Sequence, residues 1–216
     1  MQFDINRNKP TPKAQSQCPC CKSKVVAKCG KVMVWHWAHE SLEECDASWE
    51  PTTQWHLDWQ SKVHEDLTEI IMDNHIADIR LTNGKVVEVQ HSNIPVEVVK
   101  DRESFYGNMT WIFDGRKFFK RLNIKEKEFD GETSHGFKFK QPRHYILEAR
   151  KYPFYIDFGE LVFRVKGLKK YENYSEVYGK KYTTYYFYGL LMNNDEELYE
   201  EIFGKDYVRS ETISGL

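Results

Sequence analysis

The spacing of apolar side chains after Pro51 predicts the first long helix of the chain. Apolar residues recur there every three or four positions, which is the period of a helix that lays one face on a sheet. Because proline suits the first turn of a helix, we expect the helix to begin near residue 51 and to run for about five turns. The apolar positions are Trp55, Trp59, Val63, Leu67 and Ile70.

Two strand-like runs follow and predict a hairpin. They cover residues 75–81 and 85–91, and Asn83-Gly84 lies between them. Asn-Gly between two such runs is a strong signal for a tight turn.

Residues 95–106 have helical spacing and end before Gly107, which suits a glycine-capped helix. A further strand is predicted over residues 109–113. The order helix, strand, strand, helix, strand predicts an α/β fold, in which the strand reached through a helix has a parallel neighbour.

The N-terminal part differs from this middle part. Residues 1–17 are polar without apolar periodicity, and we interpret them as a flexible leader or a single edge segment. Strand-like runs at residues 24–28 and 31–37 flank Cys29-Gly30, which predicts an N-terminal hairpin.

The C-terminal part has strand-like runs and then an acidic amphipathic helix. The strands are predicted over residues 155–158, 161–165 and 182–191, and the helix over residues 195–203. We interpret this part as a β-rich accessory region. The predicted segments of the chain are residues 1–45, 46–125 and 126–216.

Composition and charge narrow the class of protein. The chain has 216 residues, of which 40% are hydrophobic and 30% charged, so we expect a folded protein and not a disordered one. The formal net charge is -2, so any contact with DNA must come from local basic patches. No run of about 18 apolar residues and no signal-like N-terminus is present, which predicts a soluble, cytoplasmic protein without a membrane partner.

Asp78 and Glu88 lie in the two strands of the predicted hairpin, ten residues apart. Carboxylates so placed can converge at one end of a sheet and bind a hard cation such as Mg²⁺. Gln90 points to the same face as Glu88, because side chains alternate along a strand. The competing interpretation is a solvent-facing pair on an amphipathic hairpin.

Several blocks of sequence around this hairpin resemble a known family. They are Trp55 to Gln60, His75 to Ile79, Val87 to Ser92 and Arg102 to Tyr106. Together they resemble the competence protein CoiA-like family, whose nuclease domain is similar to the PD-(D/E)xK superfamily. The resemblance runs from about Cys18 to Asp114. It implies a restriction-endonuclease-like αβββαβ core, with a zinc-ribbon-like hairpin before it.

The resemblance also implies roles for individual residues. Asp78 and Glu88 would be ligands of catalytic Mg²⁺ or Mn²⁺, and Gln90 stands where the superfamily usually has lysine. On the first helix, Gln60 also stands where related proteins tend to have lysine, and His56 matches the family's histidine.

Glu50 matches an acidic residue that often precedes that helix in the family. A helix-end carboxylate, favoured by the helix dipole, is the alternative interpretation of Glu50. For His56, the alternative is a histidine packed under the neighbouring tryptophans.

All five cysteines lie in the first 45 residues, which favours metal binding over disulfides in a reducing compartment. Cys18, Cys21, His36 and His39 would complete a tetrahedral, structural Zn²⁺ site. Three further thiols compete for the metal: Cys20, Cys29 and Cys45. The alternative is a set of buried thiols beside a histidine pair that caps the next helix.

Basic residues mixed with aromatic residues could track a phosphate backbone and stack on bases. Solvated strand faces are the alternative. The stretches are residues 116–121, 137–140 and 143–144.

The carboxylate pair and the family resemblance together favour a metal-dependent DNA nuclease. The resemblance implies a bacterial or phage setting, in DNA uptake, recombination or defence. The partner of such a nuclease would be DNA. A DNA-binding module that has lost cleavage is the first alternative, since Gln60 and Gln90 replace the expected lysines. The second is a zinc-stabilised adaptor that binds a protein partner through the C-terminal region.

Overall fold

A computed structural model describes residues 1–40, 52–129, 132–139 and 151–193. The described residues form a mixed α/β fold that is mostly sheet, with few helices. The chain divides into two compact units, an N-terminal unit of residues 1–94 and a C-terminal unit of residues 95–216.

The N-terminal unit begins with a three-stranded antiparallel sheet. Its strands are β1 (Gln15–Gln17), β2 (Lys24–Lys28) and β3 (His36–His39), in that order. β1 is thus an edge strand, as one of the two interpretations of the first 17 residues has it. The predicted second strand over residues 31–37 is wrong in its first part, because a loop extends to Trp35 and the strand begins at His36.

The rest of the unit is a short helix followed by three antiparallel strands. These are α1 (Gln54–Gln60), β4 (Thr68–Met72), β5 (His75–Arg80) and β6 (Val86–Gln90). The hairpin predicted from Asn83-Gly84 is confirmed, and Gly84 has the positive φ of 84° that glycine adopts without strain.

The five-turn helix predicted after Pro51 is wrong in its length. α1 ends at Gln60, a 3₁₀ turn covers Glu65–Leu67, and Ile70 lies in β4 opposite Ala77. Pairing with the next strand therefore outweighs the helical spacing of the sequence.

The C-terminal unit begins with two helices and a strand. α2 (Val96–Tyr106) ends at Gly107, which has φ 66°, so the predicted glycine cap is confirmed. β7 (Met109–Asp114) and α3 (Arg116–Phe119) follow. β7 has a parallel neighbour, β10 (Phe154–Asp157).

Four more strands and a helix complete this unit, with the strand order β7-β10-β11-β12-β9-β8. They are β8 (Lys125–Phe129), β9 (Glu132–Phe139), β11 (Leu161–Lys170), β12 (Ser175–Thr183) and α4 (Thr184–Asn193). The C-terminal part of the chain is therefore rich in strands, as the sequence predicts.

The strand predicted over residues 182–191 is wrong, because the chain turns into α4 at Thr184. Thr183 Oγ1 accepts the Tyr186 N–H at 3.2 Å, as a helix cap does. Tyr182 and Tyr186 stack with their ring centroids 5.6 Å apart. A strand is predicted for this aromatic run because tyrosine and phenylalanine have high strand propensity.

The element order αβββαβ appears along the chain as α1, β4, β5, β6, α2 and β7. The restriction-endonuclease-like core and the three segment boundaries remain predictions. The acidic helix over residues 195–203 lies outside the described residues.

Candidate functional site

A tight turn after β1 presents two cysteines of the N-terminal sheet. The Cys18 N–H donates to the Ser23 carbonyl at 2.8 Å, and the Lys22 N–H donates to the Cys18 carbonyl at 3.0 Å. Lys22 has a left-handed backbone with φ 65°. This folds Cys18 and Cys21 to one side of the turn.

β3 brings a histidine to these thiols, because His39 lies opposite Val25 of β2. The ligand atoms of Cys18, Cys21 and His39 lie within 4.8 Å of one another. Cys21 Sγ is 3.3 Å from His39 Nε2. Thiolate and imidazole donors suit Zn²⁺, so this group could bind a metal such as zinc.

His36 does not join this group. His36 and His39 are three residues apart in one strand, so alternation turns them to opposite faces. His36 Nδ1 instead lies 2.9 Å from the Val34 carbonyl. The structure thus brings together three of the four predicted zinc ligands.

Of the three competing thiols, Cys20 and Cys29 lie among the described residues, and neither belongs to the group. Cys20 Sγ lies 3.9 Å from the Asp73 carbonyl and is outside the group. Cys45 lies outside the described residues.

A second constellation joins α1 to β5. Thr53 caps α1 by accepting the His56 N–H at 3.3 Å. His56 Nε2 then lies 3.6 Å from Asp78 Oδ2. The same carboxylate oxygen accepts the Val89 N–H of β6 at 2.8 Å. Asp78 is therefore held between a helix and the neighbouring strand.

The register of the hairpin explains where the partner carboxylate lies. Ile79 is opposite Val87 and Arg80 opposite Val86, so Glu88 follows on β6 close to Asp78 along the strands. Glu88 is 1% exposed and Gln90 6% exposed. Gln90 Nε2 donates to the Ser92 carbonyl at 3.2 Å.

The donor set of this constellation fits a hard cation better than zinc. Mg²⁺ in proteins is typically held by one or two carboxylates, with water and substrate phosphate as its other ligands. Asp78 and Glu88 are carboxylates on the two neighbouring strands β5 and β6. Among the described residues, the cysteine-histidine group is the one where three histidine, cysteine or carboxylate ligand atoms lie within 4.8 Å of one another.

Trp55 of α1 packs beside His56. The His56 ring centroid is 5.8 Å from that of Trp55, which in turn lies 6.0 Å from the His91 ring. Trp55 and Trp59 are both buried. His56 is thus packed beside a tryptophan and also faces Asp78. This position is compatible both with a packing role and with a role beside the Asp78 carboxylate.

Gln60 lies in a hydrogen-bonded chain that the sequence did not reveal. Its Nε2 donates to the Asp78 carbonyl at 3.2 Å, and its Oε1 accepts from the Gln2 side chain. The backbone N–H of Gln2 donates to both carboxylate oxygens of Glu69 at 2.7 and 2.8 Å. No sequence signal marks Gln2, because its partners are more than 50 residues away.

The first basic and aromatic stretch is a helix and not a strand face. The ring centroids of Phe118 and Phe119 lie 5.7 and 5.2 Å from that of Phe158, so these half-buried rings pack on Phe158. Arg116 binds both oxygens of Asp114.

In the second stretch, Phe137 is 1% exposed whereas Lys138 is exposed. The third stretch, Arg143-His144, lies outside the described residues, and so does Glu50.

Comparison with known proteins supports the family resemblance. Residues 5–48 match the family model described as competence protein CoiA, N-terminal domain. This N-terminal segment, which contains the cysteine-histidine group, is therefore CoiA-like. Searches of curated proteins and of solved structures find no match.

The match suggests a competence-related function. Within the described residues, no helix combines the length and the apolar character needed to cross a membrane.

Proposed function

We propose that this chain is a metal-dependent DNA nuclease of CoiA-like type, with Asp78 and Glu88 as ligands of Mg²⁺ or Mn²⁺. The observation that carries the proposal is the position of Asp78, whose Oδ2 accepts a backbone N–H of β6 and lies 3.6 Å from His56 Nε2. The competence-family match supports a role in the handling of DNA.

The Asp78 carboxylate is fixed yet accessible. The Val89 N–H orients it, and its side chain is 23% exposed, so a solvated ion and a phosphate can reach it. Glu88 is almost fully buried beside it. Burial of a carboxylate is costly unless a cation or hydrogen-bond donors surround it, and a metal-ligand role meets that requirement.

The other side chains have distinct roles in this proposal. A divalent ion, when bound, would polarise the scissile phosphate and lower the pKa of the attacking water. His56 would hold a proton near the phosphate. Gln90, anchored through Nε2 to the Ser92 carbonyl, would orient the water with a neutral amide.

One observation favours a second candidate, a DNA-binding module without cleavage. Gln60 and Gln90 stand where the family resemblance leads us to expect lysine. A neutral amide stabilises the developing negative charge of a phosphorane less than an ammonium group does. Gln60 is also engaged by Gln2 and by the Asp78 carbonyl.

A cleavage assay separates the two candidates. The full chain is incubated with single-stranded, duplex and branched DNA and with Mg²⁺ or Mn²⁺, beside the variants Asp78→Asn and Glu88→Gln. A nuclease cuts DNA, and both variants abolish cutting. Salt-sensitive binding of DNA without any cutting by the wild type would instead establish the module.

The matched control is Asp58→Asn. Asp58 lies on α1 and binds the Gln54 side chain at 2.9 Å, away from Asp78. Cutting should persist in this variant. Equal loss of cutting in all three variants would refute the assignment to Asp78 and Glu88.

A further inference from the structure

Four strands of the C-terminal unit, β8, β9, β12 and β11, place cationic side chains and a tyrosine on one face of the sheet. We call this surface the lysine-tyrosine face. It consists of Lys125, Lys138, Arg164, Lys169, Tyr178 and Lys180.

The strand register defines this face. Residues directly opposite each other in neighbouring strands point to the same side. Lys180 lies opposite Arg164, and Tyr178 lies opposite both Gly167 and Gly136. Lys125 of β8 is also opposite Gly136, so the face continues to the edge strand.

The lysine-tyrosine face carries many more positive than negative side chains. Glu176, two residues before Tyr178, lies opposite Lys169 on one side and Lys138 on the other. It is 4% exposed, whereas both of these lysines are exposed. Among the described side chains of this face, five cations therefore accompany one buried carboxylate, and the surface is complementary to a polyanion.

Tyrosine rings lie among the lysines. The Tyr178 ring lies across Gly167, where any Cβ would collide with the ring, so glycine is needed for the ring to lie flat on the sheet. At the adjoining turn, Tyr171 and Tyr174 stack with centroids 4.5 Å apart, and Lys138 Nζ is 4.4 Å from the Tyr174 centroid. Tyr171 is 47% exposed.

On the same side of the sheet, α4 covers the region next to the lysine-tyrosine face. Tyr155 of β10 is the strand partner of Arg164, and its ring centroid lies 4.5 Å from that of Phe187 in α4. Tyr182 packs on Phe187 as well. The aromatic region under α4 is thus part of the core, whereas the lysines of the lysine-tyrosine face are exposed.

We propose that the lysine-tyrosine face is a docking surface for single-stranded nucleic acid. Exposed lysines along neighbouring strands can follow the phosphates, and tyrosine rings can stack on bases that a duplex would keep paired. The identity of the polyanion as DNA rests on the proposed function, but the surface itself rests on the residues of the C-terminal unit alone.

The test measures binding without cleavage. The full chain carrying Asp78→Asn is titrated against a labelled single-stranded DNA of about 20 nucleotides, longer than one binding site, by fluorescence anisotropy. Lys138→Gln with Lys180→Gln should weaken binding about tenfold, and should lower the slope of log affinity against log salt by about 0.7 for each lysine.

The matched control is Lys62→Gln with Lys100→Gln, which removes two exposed lysines elsewhere. This variant should bind like the parent. Tyr174→Leu should weaken binding at least about fivefold, because a stacking ring is lost. Thermal unfolding of each variant checks that the fold is kept.

Equal affinity for DNA and equal salt slope in the parent and in the Lys138 and Lys180 variant would overturn the proposal. That result is expected if the face binds an acidic protein and not nucleic acid. Failure of the docking-surface proposal is distinguishable from failure of the proposed nuclease function. Chains with native Asp78 are assayed for cutting in parallel, so a protein that binds through the face but never cuts refutes the nuclease alone. A protein that cuts and binds normally without Lys138 and Lys180 refutes the face alone.

Discussion

At the scale of single residues, Asp78 and Gln90 carry different parts of the proposed chemistry. Asp78 Oδ2 is fixed by the Val89 N–H, so its position follows from the fold. Gln90 is fixed by the Ser92 carbonyl and is neutral. The charge that the family resemblance leads us to expect at residue 90 is therefore the part of the site that this chain lacks.

Gln90→Lys should raise the rate of DNA cutting, on the order of tenfold, because an ammonium group stabilises the developing negative charge better than an amide does. The measurement is the single-turnover rate with Mn²⁺ at fixed pH. Gln90→Leu, of similar size and without a polar group, is the control and should be slower than the wild type. A slower rate in the lysine variant, with unfolding unchanged, would contradict the role given to residue 90.

His135 makes the stability of the C-terminal unit depend on pH. Burial lowers the pKa of His135 below its ordinary value of 6.5, and the charge of Lys181 lowers it further, against an opposing effect of Glu126. Because the pKa is lower in the folded state, the unfolded chain takes up the proton first as the pH falls. The stabilisation is thus present above about pH 6.5 and is lost below it.

His135→Gln should therefore flatten the fall in stability between about pH 7.5 and pH 5.5, a window around the unperturbed histidine pKa. Urea unfolding midpoints across that range provide the measurement. An identical slope in the His135 variant and the wild type would show that another group causes the dependence.

At the scale of elements, local signals decided which predictions held. Asn83-Gly84 and Gly107 mark a turn and a helix end through their own backbone preferences, so the hairpin and α2 could be predicted from the sequence. The end of α1 could not, because Ile70 pairs with Ala77 in a strand contact that the helical spacing hides.

In the candidate site too, local patterns could be predicted from the sequence and long-range contacts could not. Strand alternation, applied to Glu88 and Gln90, also separates His36 from His39, yet the sequence offered no sign that Gln2 would bind Gln60.

Thr53 caps the N-terminus of α1, a helix of only seven residues, through its side chain. Thr53→Ala should reduce stability by about 1 kcal/mol, as loss of an N-cap does, and should slow cutting because α1 carries His56. Urea unfolding and the cleavage rate measure the two effects. Thr53→Ser keeps the hydroxyl and should retain both, and equal losses in the two variants would argue against capping.

A zinc ion bound by the cysteine-histidine group should stabilise the three-stranded N-terminal sheet. Cys21→Ser or His39→Gln should lower bound zinc and the thermal midpoint, because each removes one ligand of the Cys18, Cys21 and His39 group. His36→Gln should keep zinc at the wild-type level. Elemental analysis of the purified proteins measures this, and loss of zinc in the His36 variant, or negligible zinc in the wild type, would refute the ligand set.

At the scale of the whole molecule, net charge conceals how the charges are arranged. The formal net charge of -2 gives no sign of a nucleic-acid partner, yet the lysine-tyrosine face gathers cations from four strands. Lys125, Lys138, Lys169 and Lys180 are spread over 56 positions of the sequence. Only the strand order β11-β12-β9-β8 brings them together, so the local stretch at residues 137–140 could indicate Lys138 but not the rest of the face.

The most direct test of the nuclease proposal is the single-turnover rate of DNA cutting as the Mn²⁺ concentration increases. Asparagine is the right replacement for Asp78, because its amide oxygen can still accept the Val89 N–H, whereas alanine would leave that donor unsatisfied at a cost of about 1–3 kcal/mol. The wild-type rate should rise with Mn²⁺ and saturate, and Asp78→Asn and Glu88→Gln should each lower it about 100-fold or more at every concentration. A rate that is unchanged in either variant, or that does not depend on the metal, would contradict the assignment of the ion to Asp78 and Glu88.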